Sequence, residues 1–197
     1  MRIFFIFLIS IFNLNAQQNY IDYLSPYHPV ISNSGMVVTQ NNLSSDIGIE
    51  ILNKGGNAID AAVAVGFSLA ITLPRAGNLG GGGFMLVYIK EKNEIFYIDY
   101  RSKSPLNASI DNIFDLNGKK IKPKDFTNDM FNKTRYGYKA SAIPGTVAGL
   151  LEAHENFGSL PLKDVLAPAI RQAKNGIIVS YDLEKVIENT HQLKKDP

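Results

Sequence analysis

The chain has 197 residues, 45% of them hydrophobic and 19% charged, which is apolar surface enough for one buried core and the wrong composition for a disordered segment. A formal net charge of +2, with no Lys/Arg block longer than a pair, argues against nucleic acid or an anionic membrane surface as a partner. The absence of cysteine excludes disulfides, a thiolate nucleophile, a lipidated N-terminal cysteine and cysteine-ligated zinc.

In chain order, residues 1–16 read as a secretory signal peptide. Arg2 supplies the positive start, Ile3 to Phe12 the apolar run broken only by Ser10, and Ala16 a small residue before Gln17, although Leu14 is larger than such cleavage sites prefer. The run falls short of the roughly 20 residues a bilayer span needs, so the expected location is periplasmic or secreted. Residues 17–34 form an irregular lead-in, closed off by Pro26 and Pro29.

Gly35 to Thr39 (GMVVT) reads as a short strand. A helix capped by Ser44 or Ser45 follows, with Ile47, Ile51 and Leu52 on one side and Gly55-Gly56 at its end. Asn57 with Asp60 three residues on makes a capping-box pattern ahead of an apolar run from Ala61 to Leu73, stopped by Pro74. Apolar on every side and too short to span lipid, this helix is expected at the centre of the fold, packed on a sheet.

The stretch GNLGGGGFMLVY, Gly77 to Tyr88, raises the question of a phosphate loop. It lacks the lysine and hydroxyl of the P-loop and leads into a strand, whereas phosphate loops leave a strand and open a helix. Close backbone approach is the expected use of its glycines. FMLVYIK and EIFYIDYR form a hairpin turned at Glu91 to Asn93, and Ser102 to Lys139 is a polar surface excursion. A short strand then feeds Pro144-Gly145 and a helix from Thr146 to Gly158. Leu162 to Lys174 is helical with Pro168 starting its second part, Gly176 ends it, and Ser180 caps a last amphipathic segment.

His28, His154 and His191 share no metal-ligand spacing, and neither HExxH nor G-x-S-x-G is present. Arg101 ends a strand on the face of Ile95, Tyr97 and Asp99. There a guanidinium could grip a carboxylate with two parallel hydrogen bonds, or simply pair with Asp99 or another structural acid.

The run from Gly35 to Tyr88, with IDYRSKSP and IPGTVAGLLEAHENFG after it in the same order, resembles the start of the large subunit of γ-glutamyltransferases. The resemblance extends to about Gly176. It implies an α+β fold, part of the αββα sandwich of N-terminal-nucleophile hydrolases, with residues 35–197 as the N-terminal portion of the large subunit. The implied chemistry is transfer of a γ-glutamyl group from glutathione or glutamine to water or an amine, by an exported precursor that cuts itself in two. The new N-terminal threonine of the small subunit is then the nucleophile.

No cofactor or metal is implied. The partners implied are a small γ-glutamyl substrate and the small subunit from the same precursor. By position, Arg101 matches the arginine that in this family holds the substrate's α-carboxylate, and the glycine run matches a structural part of the core. None of Thr39, Thr72, Thr127, Thr134, Thr146 and Thr190 lies in the nucleophile's context, so no catalytic residue is expected here and these residues alone are expected to be inactive. A related amidase, such as a cephalosporin acylase or a poly-γ-glutamate-processing enzyme, and a non-catalytic secreted remnant or binding module are the alternatives; IDYRSKSP favours a glutamyl substrate.

Overall fold

The computed structural model describes residues 31–106, 108 and 140–190. The signal peptide, most of the lead-in and most of the polar excursion lie outside the described residues, as do His28, His191, Thr127 and Thr134. The chain divides into two units, Met1–Ser34 and Gly35–Pro197, and every element described below belongs to the second.

Helix α1 spans Asn42–Asn53, and its cap is Asn41, whose side chain accepts from Leu43 N. Neither serine expected as the cap fills that role. Ser44 lies one turn inside and is fully buried, because its hydroxyl has better partners across the interface than at the helix end. Ser44 Oγ is 2.7 Å from Ser68 Oγ and 2.8 Å from Thr72 Oγ1, and Ser68 Oγ donates to Gln172 Oε1 at 2.7 Å. Since Ser68 gives its one hydrogen to Gln172, Ser44 donates to Ser68, and Thr72, which also donates to Ser68 O at 3.3 Å, shares its hydrogen between that carbonyl and Ser44. That one-way relay satisfies three buried hydroxyls without water.

Gly55, at φ +87°, takes the left-handed turn that closes α1. Helix α2, Ala58–Thr72, opens with the expected capping box: Asn57 accepts from Ile59 N and Asp60 N, and the Asp60 carboxylate accepts from Asn57 N at 2.9 Å. Ile59, Ala61, Val63 and Ala64 of α2 lie in one buried cluster with Val87 and Ile98 from the segment that follows. Among the described elements the closest-packed neighbours of α2 are helices: α1, α3 (Thr146–Phe157) and α4 (Leu162–Asn175). Helices on several sides are why α2 is apolar nearly all round. Val63 and Ala64, with Ile51 of α1 and Val165 of α4, are fully enclosed at this crossing.

Strands β1 (Phe84–Ile89) and β2 (Glu94–Asp99) pair antiparallel with Phe84 opposite Asp99 and Ile89 opposite Glu94. Asn93, at φ +52°, takes the left-handed position of the turn, which asparagine tolerates. The inner face carries Met85, Val87, Phe96 and Ile98 into the core, and Phe96 meets Phe157 of α3 at 4.9 Å between ring centres. Phe84, Leu86, Tyr88, Ile95 and Tyr97 make the outer face, all exposed.

Two expected strands are absent from the described residues. GMVVT forms no ladder; instead Val37 packs where Gly48 of α1 leaves room for it. The segment before Pro144 contributes one antiparallel bridge, Ile143 to Lys103. Helix α4 runs unbroken through Pro168, which is fully buried in its middle, so Pro168 does not divide it; Gly176, at φ +77°, ends it. Ser180 caps α5, Tyr181–Asn189, as the sequence indicates. No described helix is long and apolar enough to cross a membrane.

Candidate functional site

Arg101 lies two residues beyond β2, and its backbone is held from both sides. Before it, Tyr100 exchanges two backbone hydrogen bonds with Gly83, at 3.1 and 3.3 Å, extending the hairpin ladder by one pair. After it, Lys103 and Ile143 exchange two more, at 3.1 and 2.8 Å. Between these clamps, the Arg101 N–H donates to Asp99 Oδ1 at 3.0 Å. Asp99 therefore holds the arginine's backbone and not its guanidinium, which answers the Asp99 half of the ion-pair alternative. The exposed guanidinium lies 6.0 Å over the Phe84 ring, itself stacked with Tyr97 on the outer face. Among the described residues Arg101 has no acidic partner. An exposed guanidinium on an aromatic platform is equipped to take an anion of two parallel oxygens.

The glycines explain how this segment is approached so closely. A Cβ on Gly82 would come within 2.6 Å of Tyr100 O and 2.8 Å of Arg101 C, and one on Gly83 within 2.8 Å of the Tyr100 ring. From the other side, a Cβ on Gly145 would overlap Tyr100 O, and one on Gly149 the Tyr100 ring. The Gly81 carbonyl ties the two sides together by accepting from Gly145 N at 2.8 Å and Thr146 N at 3.2 Å, while Thr146 Oγ1 donates to Asn78 O. None of these glycines has positive φ, so the demand is for space alone. Burial pushes the Tyr100 hydroxyl above its usual pKa, as expected for a ring enclosed this way.

A second polar centre is structural. Asp60, fully buried, accepts from Ser159 Oγ at 2.6 Å and from the N–H groups of Asn57, Ser159 and Leu160. Burial alone would raise its carboxyl; the Ser159 hydroxyl and the three backbone donors more than offset this and hold it below the usual carboxylate range. His154 is 3.7 Å from Asp60 Oδ1 and 2.9 Å from Leu160 O through Nε2, tying down the α3–α4 connection. Aspartate, histidine and serine thus meet, but Ser159 donates to the acid and not to the imidazole, so this is no nucleophile triad.

Thr39, Thr72, Thr146 and Thr190 are all engaged in hydrogen bonds. Among the described residues no group of three or more His, Cys, Asp or Glu could hold a metal ion. A cavity of about 380 Å³ lined in part by Asn41, Thr72, Arg75, Ser180 and Asp182 does not include Arg101. What the sequence reading missed is Tyr100 and the Gly145/Gly149 pair. Their i, i+4 spacing was the available signal, since it opens one smooth stripe on a helix face.

A family model described as gamma-glutamyltranspeptidase matches residues 44–197. The chain is 40% identical over 169 residues to a glutathione hydrolase proenzyme of Pseudomonas sp. (strain A14), covering 85% of the chain and 28% of that relative. It is 43% identical over 154 residues to the glutathione hydrolase proenzyme of Escherichia coli (strain K12), covering 78% of the chain and 25% of the relative. The chain thus spans about a quarter of the length of these relatives. Among solved structures, Helicobacter pylori gamma-glutamyltranspeptidase superposes with a TM-score of 0.73 at 35% identity, over 83% of this chain and 44% of that one. The α+β arrangement is accordingly part of an N-terminal-nucleophile hydrolase sandwich.

Proposed function

The chain belongs to the gamma-glutamyltranspeptidase family, and from that premise we propose that it forms the front of the large subunit of a self-cleaving precursor that moves γ-glutamyl groups from small γ-glutamyl compounds to water or an amine. The observation that carries this reading is the exposed guanidinium of Arg101, without an acidic partner among the described residues and set on an aromatic face by a backbone clamped on both sides. In the proposal, two parallel N–H···O bonds from Arg101 hold the substrate's α-carboxylate, which fixes the γ-carbonyl at the nucleophile. That nucleophile is the N-terminal threonine of the small subunit. Its hydroxyl attacks the γ-carbonyl, its own amine takes the proton, and the leaving amine receives it.

The outer face of the hairpin supports the subunit partner: Leu86 and Ile95 are 72% and 67% exposed beside three exposed aromatics, an apolar patch suited to an interface. Export, with residues 1–16 as the signal, is part of the same proposal.

The test is the mature two-chain enzyme from the full-length gene, assayed on a γ-glutamyl anilide. Arg101→Lys replaces the fork by a point charge and is expected to raise KM about 10- to 100-fold with kcat little changed, the size of one lost charge-assisted hydrogen bond. A substrate whose α-carboxylate is converted to the amide should not distinguish the two enzymes. Unchanged KM on the carboxylate substrate would overturn the assignment of Arg101.

A further inference from the structure

We propose that Tyr100 is the positioning residue for Arg101, its ring acting as a key that sets the direction in which the arginine leaves the backbone. The inference rests on the reading of Arg101 as the carboxylate-binding residue and adds to it how that side chain is aimed. Successive residues of an extended segment point to opposite faces. Tyr100 points to the inner face, where it packs against the core and its ring is closed in by Gly83 on one side and Gly149 on the other. Its carbonyl is closed in the same way by Gly82 and Gly145, and its N–H and C=O are both bound to Gly83.

A ring and peptide so enclosed have one seat, and with Tyr100 seated inward Arg101 emerges on the outer face, over Phe84. The Asp99 carboxylate on the Arg101 N–H and the Lys103–Ile143 bridge hold the backbone without choosing the face. A smaller or more flexible side chain at 100 leaves room in the glycine cradle, which loosens the last ladder pair with Gly83, and as that pair frays the guanidinium swings away from its aromatic platform.

The experiment compares Tyr100→Phe, Tyr100→Leu, Arg101→Lys and the Tyr100→Leu/Arg101→Lys double variant in the mature enzyme, reading KM and kcat on the γ-glutamyl anilide together with the thermal midpoint. Tyr100→Leu is expected to raise KM about 5- to 10-fold with kcat within about two-fold, and Tyr100→Phe, which keeps the ring, to bring KM back to within about two-fold of wild type. The double variant should be no worse than Arg101→Lys alone, because a misaimed lysine loses little further. Should Tyr100→Leu fail to mature, Tyr100→Met supplies the same comparison. A folded Tyr100 variant with wild-type KM, beside an Arg101→Lys enzyme whose KM has risen, overturns the positioning role and spares the reading of Arg101. Full multiplication of the two effects in the double variant overturns it as well. An Arg101→Lys enzyme with unchanged KM removes both.

Discussion

Gly145→Ala is expected to prevent normal folding and processing. The added methyl would overlap the Tyr100 carbonyl oxygen and come within 2.8 Å of Tyr100 C, and both are backbone atoms of a segment fixed on its other side by Gly82 and Gly83. Neither neighbour can yield, because moving Tyr100 outward breaks its ladder pair with Gly83, and moving α3 breaks the Gly145 and Thr146 bonds to Gly81 O. Overpacking of this kind costs about 3 kcal/mol, a large part of the stability of a typical domain. Gly81→Ala is the control. Its methyl would sit 3.2 Å from Asn78 Oδ1, the end of a side chain that can move aside, and the expected loss is below about 1 kcal/mol. The contrast places the steric demand on the second half of the glycine run, where the chain passes Tyr100, and not on Gly80 and Gly81. Yields of soluble processed protein and thermal midpoints for the two variants check this; a Gly145→Ala enzyme that matures with a wild-type midpoint would show that the approach is looser than described.

Asp60→Ala is expected to cost about 3 to 4 kcal/mol, since it leaves several donors at the start of α2 and in the α3–α4 connection without their charged acceptor. The pH dependence has a definite sign. The carboxyl of Asp60 lies lower in the folded protein than in the unfolded chain, so its contribution is fully present above the ordinary aspartate value of about 3.9 and is lost as pH falls through the folded value. The stability gap between wild type and Asp60→Asn should therefore be constant near neutrality and shrink in acid. Glu50, held down chiefly by Lys54 with Arg171 also contributing, adds a smaller acid-sensitive part from a more exposed position. Denaturant titrations of both proteins between neutral pH and about pH 3 measure the gap. A gap that stays constant into acid would mean that the buried carboxylate is not what holds the connection.

Much of this was legible from local pattern. The capping box at Asn57 and Asp60, the α1 stop at Gly55, the hairpin turn before Glu94 and the Ser180 cap are all fixed by groups within four residues of one another, the range over which a sequence pattern reports geometry directly. Ser44 was misread for the same reason. Its residue type suits a helix end, and only partners 24 and 28 residues away turn it into a buried link. Asp60 has a second role that no local pattern could announce, because its partners Ser159 and Leu160 lie 99 and 100 residues further on.

The amino-acid sequence by itself determined which segments become helices and hairpin, where they stop, and, through blocks in a recognisable order, the family. Hydrophobic period, caps and turn residues act within a turn or two and need no partner from elsewhere. Tertiary structure alone decided that α2 packs against three helices and shares its core with the hairpin, that Asp99 takes the arginine's backbone and not its guanidinium, and that four glycines from two distant segments close on Tyr100. Each of these is a matter of which surfaces meet after the chain has doubled back, and close packing lets a single methyl group decide it.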